Sequence, residues 1–181
     1  MGVTVFILMG PAGCGKTAVA QNLSEHYSCA YIEGDNLHPA ENIAKMSNGI
    51  ALRDEDRWQW LATVRQKFLD KADEIISSRS ECSLIFVTCS ALKRSYRTLL
   101  ADVDNKNISV KFIFLKCSPQ TLSNRLASRK GHYMGKAMLD SQLQTLEEPT
   151  SDENNVITIE CDSPLSNVVS KIINTIDEKP I

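Results

Sequence analysis

Chemistry concentrates first in the run Gly10-Pro11-Ala12-Gly13-Cys14-Gly15-Lys16-Thr17. Glycines at these spacings let successive backbone N–H groups turn inward on an anionic oxygen, and a helix starting here adds partial positive charge at the same place. Lys16 would then reach the β- and γ-phosphates of a nucleoside triphosphate, and Thr17 would offer its hydroxyl to Mg2+. Gly10, Ala12, Gly13, Cys14, Gly15, Lys16, Thr17 and Ala18 are therefore the residues expected to hold ATP. Cys14 has two readings: a thiol of lowered pKa at a helix N-terminus, or an inert packed side chain.

Phosphoryl transfer also needs an acceptor held in line and positive charge around the equatorial oxygens. Asp35 is the candidate to accept or orient the acceptor hydroxyl's proton, and to hold a water on Mg2+. Arg125 and Arg129, four residues apart, project from one helix face. They are expected to neutralise the transferring group, with Arg125 also on the nucleotide; a solvated basic edge is the alternative. The chain then runs into Lys130-Gly131-His132-Tyr133-Met134-Gly135-Lys136, a basic loop bracketed by glycines that could close as a lid. A second cluster, Asp35, His38, Arg57, Lys93 and Arg97, reads as acceptor recognition. Several cations beside one carboxylate suit a small acceptor with hydroxyls and a negative charge, since arginine grips a carboxylate with two parallel hydrogen bonds. For His38, a structural place at a helix start is the other reading.

These side chains need a scaffold, and the apolar pattern supplies one. Val3 to Met9 reads as a buried parallel strand that delivers the glycine loop, and Ala18, Val19, Ala20 and Leu23 mark the helix behind it. Residues 29–32 form a second strand with Glu33-Gly34-Asp35 at its carboxyl end, where ligands bind in open α/β sheets. His38-Pro39 opens a short helical stretch through Met46, and Asn48-Gly49 signals a turn. From Asp54, an acidic first turn and the spacing of Trp58, Leu61, Val64, Phe68, Ala72 and Ile75 predict a long helix with those residues in the core. Leu84 to Val87 is a third strand. It ends in Thr88-Cys89-Ser90, where a nucleotide-binding protein normally carries a Mg2+-ordering aspartate, so Asp35 is left to serve. A fourth strand spans 110–115, Ser118-Pro119 starts the helix of Arg125, another helix covers 136–146, a fifth strand spans 155–159, and a last helix follows Pro164. The alternation predicts one three-layer α/β domain over residues 1–181, with a central parallel sheet of about five strands.

Composition narrows the class further. The chain has 181 residues, 43% apolar and 23% charged, with a net charge of −2, which gives no electrostatic reason to expect bulk nucleic acid or an anionic membrane as partner. Six scattered cysteines without a C-x-x-C pair fit buried thiols in a reducing compartment. No leader pattern and no membrane-length apolar run stand out, so a cytoplasmic location is expected.

Taken together, the motifs resemble one family. Gly34-Asp35-Asn36-Leu37-His38-Pro39, Asn42 to Met46, Gly49 with Asp54-Glu55-Asp56-Arg57, Cys89-Ser90-Ala91-Leu92-Lys93 with Tyr96-Arg97, Arg125 through Met134, and Ser141 to Glu147 look like the successive motifs of the gluconokinases of the thermoresistant type. The resemblance covers residues 3 to about 149. It implies the P-loop kinase fold with a helical lid around 125–137 and an acceptor-binding helical segment around 38–60. It also implies ATP-dependent phosphorylation of D-gluconate on its terminal hydroxyl, with Mg2+, giving 6-phospho-D-gluconate for the pentose phosphate route. By position it makes Asp35 the base or orienting carboxylate, sets His38, Arg57, Lys93, Arg97 and His132 around the sugar acid, and makes Arg125 and Arg129 the lid arginines. Members are commonly dimers, so a homodimer is the implied assembly.

Two rivals stand beside this reading. A kinase for another acceptor, shikimate-like or a nucleoside monophosphate, would share the loop, the aspartate after the second strand and the arginines, and fold alone cannot choose between acceptors. A nucleotide-binding switch without transfer activity would not need the cationic cluster beside Asp35.

Overall fold

The computed structural model describes residues 2–128 and 135–178. Strand β1 (Val3–Met9) is buried along its whole length, because it sits in the middle of a sheet covered on both faces. Its side chains alternate between two cores. Val3, Val5, Ile7 and Met9 pack toward α3 (Asp54–Ser78) and α4 (Arg94–Ala101), meeting Trp60, Leu61, Val64, Phe68, Tyr96 and Leu100. Phe6 and Leu8 pack toward α1 (Lys16–Tyr27), α5 (Pro119–Ala127) and α7 (Leu165–Glu178), meeting Val19, Leu23, Leu122, Val168 and Ile172. Three layers follow directly from that alternation.

The remaining strands are β2 (Ala30–Glu33), β3 (Leu84–Thr88), β4 (Ile108–Lys116) and β5 (Val156–Glu160), and the sheet order is β2-β3-β1-β4-β5 with every pair parallel. The chain leaves β1 toward β2 on one side and later crosses to β4 on the other, so a crevice opens at the carboxyl end of β1, where ligands bind in such sheets. Short α2 (Ala40–Ser47) and α6 (Gly135–Thr145) stand at that same end.

The expected five-stranded parallel α/β architecture is what forms, with two local corrections. The second strand begins one residue later and includes Glu33, which moves that carboxylate from the loop to the strand end. In α3 the tryptophan in the core is Trp60, 2% exposed, whereas Trp58 is 38% exposed and meets Tyr96 edge-on at 5.2 Å. The buried stripe is Arg57, Trp60, Leu61, Val64, Phe68 and Ala72, a run of i, i+3, i+4 positions that starts on a charged residue. The expected lid falls largely on residues 129–134, so Arg129 and His132 lie outside the described residues.

Candidate active site

The loop between β1 and α1 is shaped by close packing as well as by glycine freedom. Gly13 has φ 87°, and a Cβ there would come within 3.1 Å of Leu126 and 3.2 Å of the Leu122 carbonyl, so the loop lies flat on α5. Helix α1 starts after Gly15 with no side chain capping its first turn, which leaves backbone N–H groups directed at the cleft. Lys16 Nζ donates to the carbonyls of Gly10 at 3.0 Å and Pro11 at 3.2 Å. Cys14 is the inert case: it is buried, and burial raises its thiol despite the opposing charge of Lys16.

Across from the loop, β2 brings a carboxylate that the sequence reading did not single out. Glu33 is in register with Thr88. It accepts hydrogen bonds from Thr17 Oγ1 at 2.8 Å, from the Tyr31 hydroxyl and from the Thr88 hydroxyl. Burial pushes its pKa up, but the hydroxyls of Thr88, Tyr31 and Thr17 outweigh that and hold it below the usual value, so it is an anion at neutral pH. Glu33 thus stands beside the end of β3, where the expected aspartate is absent, on the neighbouring strand. Its only sequence signal was a strand-end glutamate two residues before Asp35.

The next residue, Gly34, has no room for a side chain: a Cβ would lie 2.0 Å from the Thr88 carbonyl oxygen. This contact turns the chain so that Asp35, exposed, faces a cleft of about 280 Å³ lined also by Ala12, Gly15, Lys16, Thr17 and His38. Trp60 Nε1 donates to the Gly34 carbonyl at 2.8 Å, and the His38 ring stacks on Trp60 with centroids 4.0 Å apart and planes at 14°. Burial lowers the His38 pKa, the Asp35 charge opposes that, and the Arg57 cation adds to it. The imidazole is therefore neutral at pH 7; Asn42 Nδ2 stands 3.3 Å from Nδ1 and donates to it, which leaves the Nε2–H as the donor offered to a ligand.

Of the cations read as acceptor recognition, Arg57 is the one that lines this cleft beside Lys16 of the loop. It is 8% exposed, donates to the Tyr96 hydroxyl at 3.3 Å and stands 3.9 Å from Asp54. Lys93 is spent on the same aspartate, at 2.7 and 2.9 Å, and does not line the cleft. Tyr96 also donates to Asp54, at 2.6 Å; burial and that contact push the phenol up to about 12. Lys93 and Tyr96 thus hold the wall behind Arg57.

Two arginines expected at the chemistry are placed elsewhere. Arg97, 2% exposed, makes a bidentate pair with Glu153 at 2.7 Å on each arm, and its remaining nitrogen donates to the carbonyls of Ala91, Leu92 and Glu147. A guanidinium with every arm engaged anchors the 147–153 segment to α4; it does not face the acceptor cleft. Arg125 donates to the carbonyls of Cys14, Cys161 and Ser163 and to Cys117 Sγ. It lines a second cleft on the far side of the loop with Gly13, Gly15, Ala18 and Ser163, instead of the cleft of Asp35. Its carbonyl partners pull it toward the loop's outer side, away from the acceptor.

The site therefore has two compartments joined over Gly13 and Gly15: one walled by Asp35, His38, Trp60 and Arg57, the other by Arg125 and the start of α7. A chain of phosphates laid along the loop would connect them.

Comparisons with known proteins agree with this geometry. Residues 7–152 match the family model described as an AAA domain. The chain is 46% identical over 156 residues to a probable gluconokinase of Schizosaccharomyces pombe, covering 86% of this chain and 78% of that one. It is 41% identical to the thermoresistant gluconokinase of Escherichia coli K12, covering 95% and 93%. Among solved structures, a gluconokinase from Sinorhizobium meliloti 1021 superposes with a TM-score of 0.81 at 36% identity, covering 98% of this chain and 92% of that chain. A sugar kinase from Janibacter sp. HTCC2649 gives 0.84 at 33% identity, covering 99% and 97%. With loop, sheet order and acceptor cleft in place, this chain belongs to the gluconokinase family.

Proposed function

We propose that the protein transfers the γ-phosphoryl group of ATP to the terminal hydroxyl of D-gluconate, giving 6-phospho-D-gluconate. The observation that carries this reading is the shared cleft: Lys16 and Thr17 of the loop and the exposed carboxylate of Asp35 line one cavity, with the buried Arg57 in its wall. An acceptor hydroxyl between Asp35 and the loop would be oriented, and its proton taken, by Asp35 as it attacks phosphorus in line. Arg57 supplies charge and two-armed geometry for a carboxylate at the acceptor's other end. His38, neutral beside Trp60, suits the hydroxyls between. Arg125, on the outer side of the loop, serves the nucleoside end.

Mg2+ fits the donor set. Thr17 Oγ1 and the Glu33 carboxylate form an all-oxygen pair beside the loop, and Asp35 lines the same cleft as Thr17. An ion here would be held mainly through phosphates and water. When bound, the ion would neutralise charge on the phosphate oxygens. No helix among the described residues is long and apolar enough to cross a membrane, and all six cysteines are free thiols, which fits work in a reducing compartment such as the cytoplasm.

The decisive experiment is ADP formation with a panel of gluconate, shikimate, glycerate and nucleoside monophosphates. Gluconate should stimulate turnover well above the rest. Equal rates with and without gluconate would remove it as the acceptor.

A further inference from the structure

Helix α6 stands over the acceptor cleft, and one of its side chains touches the phosphate loop itself. Gln142 Oε1 accepts a hydrogen bond from the Ala12 N–H at 2.6 Å, across 130 residues of sequence. That contact sets the sense of the amide, because an N–H must meet an acceptor; Nε2 and its two N–H groups therefore point the other way. Among the described residues Nε2 donates to no protein atom, and it is not buried without a partner. Gln142 lines the cleft with Lys16, Thr17, Asp35 and Arg57.

Where Ala12 lies gives the contact its meaning. Gly13, Gly15 and Ala18 line both clefts, whereas Ala12 lines only the acceptor side. A triphosphate with its nucleoside beside Arg125 and its phosphates across Gly13 and Gly15 would bring its terminal phosphate to the Ala12 side.

We propose that Gln142 is a further catalytic residue: its Oε1 stays on the Ala12 N–H while its Nε2 donates to an oxygen of the transferring phosphoryl group. A neutral donor held against the loop adds to Lys16 at the point where charge shifts in the transition state, and being tethered it needs no reorganisation there. The assignment rests on the phosphoryl transfer proposed above.

The test compares wild type with Gln142→Glu and Gln142→Leu. Gln142→Glu keeps an acceptor for the Ala12 N–H but replaces the donor with negative charge; Gln142→Leu loses both. Turnover with gluconate from pH 5.5 to 8.5, calorimetric binding of Mg-ADP and of a non-hydrolysable Mg-ATP analogue, and Tm are measured. Loss of one such donor is worth on the order of 10²-fold in kcat, and that loss is expected for both variants at pH 8. Gln142→Glu alone should recover toward low pH, as its carboxyl regains an O–H donor. The analogue should bind Gln142→Glu about tenfold more weakly, one charged contact's worth, with ADP affinity unchanged. Turnover of Gln142→Glu within about twofold of wild type, or ADP and analogue affinities falling together, would overturn the proposal, since a mere tether predicts those results. If wild type ignores gluconate, the acceptor reading fails by itself, and the comparison of ADP with the analogue, which needs no acceptor, still decides the role of Gln142.

Discussion

Arg57 and Arg97 are both buried, at 8% and 2% exposure, yet they belong to opposite kinds of region. Around Arg97 every guanidinium nitrogen meets an acceptor, including both oxygens of Glu153 and the carbonyls of Ala91, Leu92 and Glu147. Around Arg57 the protein supplies the Tyr96 hydroxyl at 3.3 Å and a carboxylate no nearer than 3.9 Å, and the residue borders a cleft. A saturated arginine is a strut, since nothing is left for a ligand to bind. An under-coordinated one at a cavity wall keeps donors for a ligand, which is why Arg57 is proposed as the group that meets a ligand carboxylate.

The contrast can be broken in order of expected effect. The largest lies in the cleft: Asp35→Asn should lower kcat by roughly 10²- to 10⁴-fold, the range for a positioned general base, with ATP affinity unchanged by calorimetry. Wild-type turnover in that variant would take Asp35 out of the mechanism. Next, Arg97→Ala strands Glu153 and should cost about 3–5 kcal/mol of stability, read by urea unfolding, while folded protein keeps its gluconate KM. A raised KM with intact stability would place Arg97 at the acceptor after all. Arg57→Ala should do the reverse, raising gluconate KM by roughly 10- to 100-fold, as for loss of a charged hydrogen bond of about 1.5–3 kcal/mol, with only a small change in Tm.

Acid should expose the same divide more gently. The Arg97 guanidinium lowers the Glu153 pKa despite burial. A carboxylate depressed in the folded state contributes stability above its unfolded value of about 4.3, and that contribution is lost as pH falls through the lower folded value. Thermal melts from pH 7 to 3 should therefore fall more steeply in wild type than in Glu153→Gln; parallel curves would remove the pair from acid unfolding. The smallest effect is expected for Trp60→Phe, which keeps a ring beneath His38 but loses the bond to the Gly34 carbonyl, about 1 kcal/mol, seen as a modest drop in Tm with a slight rise in gluconate KM.

How much of this was legible beforehand depends on the residue. The phosphate loop could be read directly because its chemistry is done by backbone and by near neighbours in sequence: three glycines, Lys16 and Thr17 in a single run. Asp35 was legible as a strand-end carboxylate. Glu33 was not, since its importance comes from being level with Thr88 across a strand pair and within 2.8 Å of Thr17. The two arginines read as catalytic or acceptor-binding, Arg125 and Arg97, could not be sorted from Arg57 by residue type.

By itself the sequence determined the element order, the parallel sheet, the anion cradle and the family motifs, because these are written in local propensity, apolar period and short contiguous runs. Only the tertiary structure decided which cation faces the cleft and which is locked in the framework, which tryptophan lies in the core, and that Gln142 meets Ala12 from 130 residues away. The reason is physical: a long charged side chain goes wherever its acceptors are, and acceptors brought by distant parts of the chain leave no periodic mark in the residues that bind them.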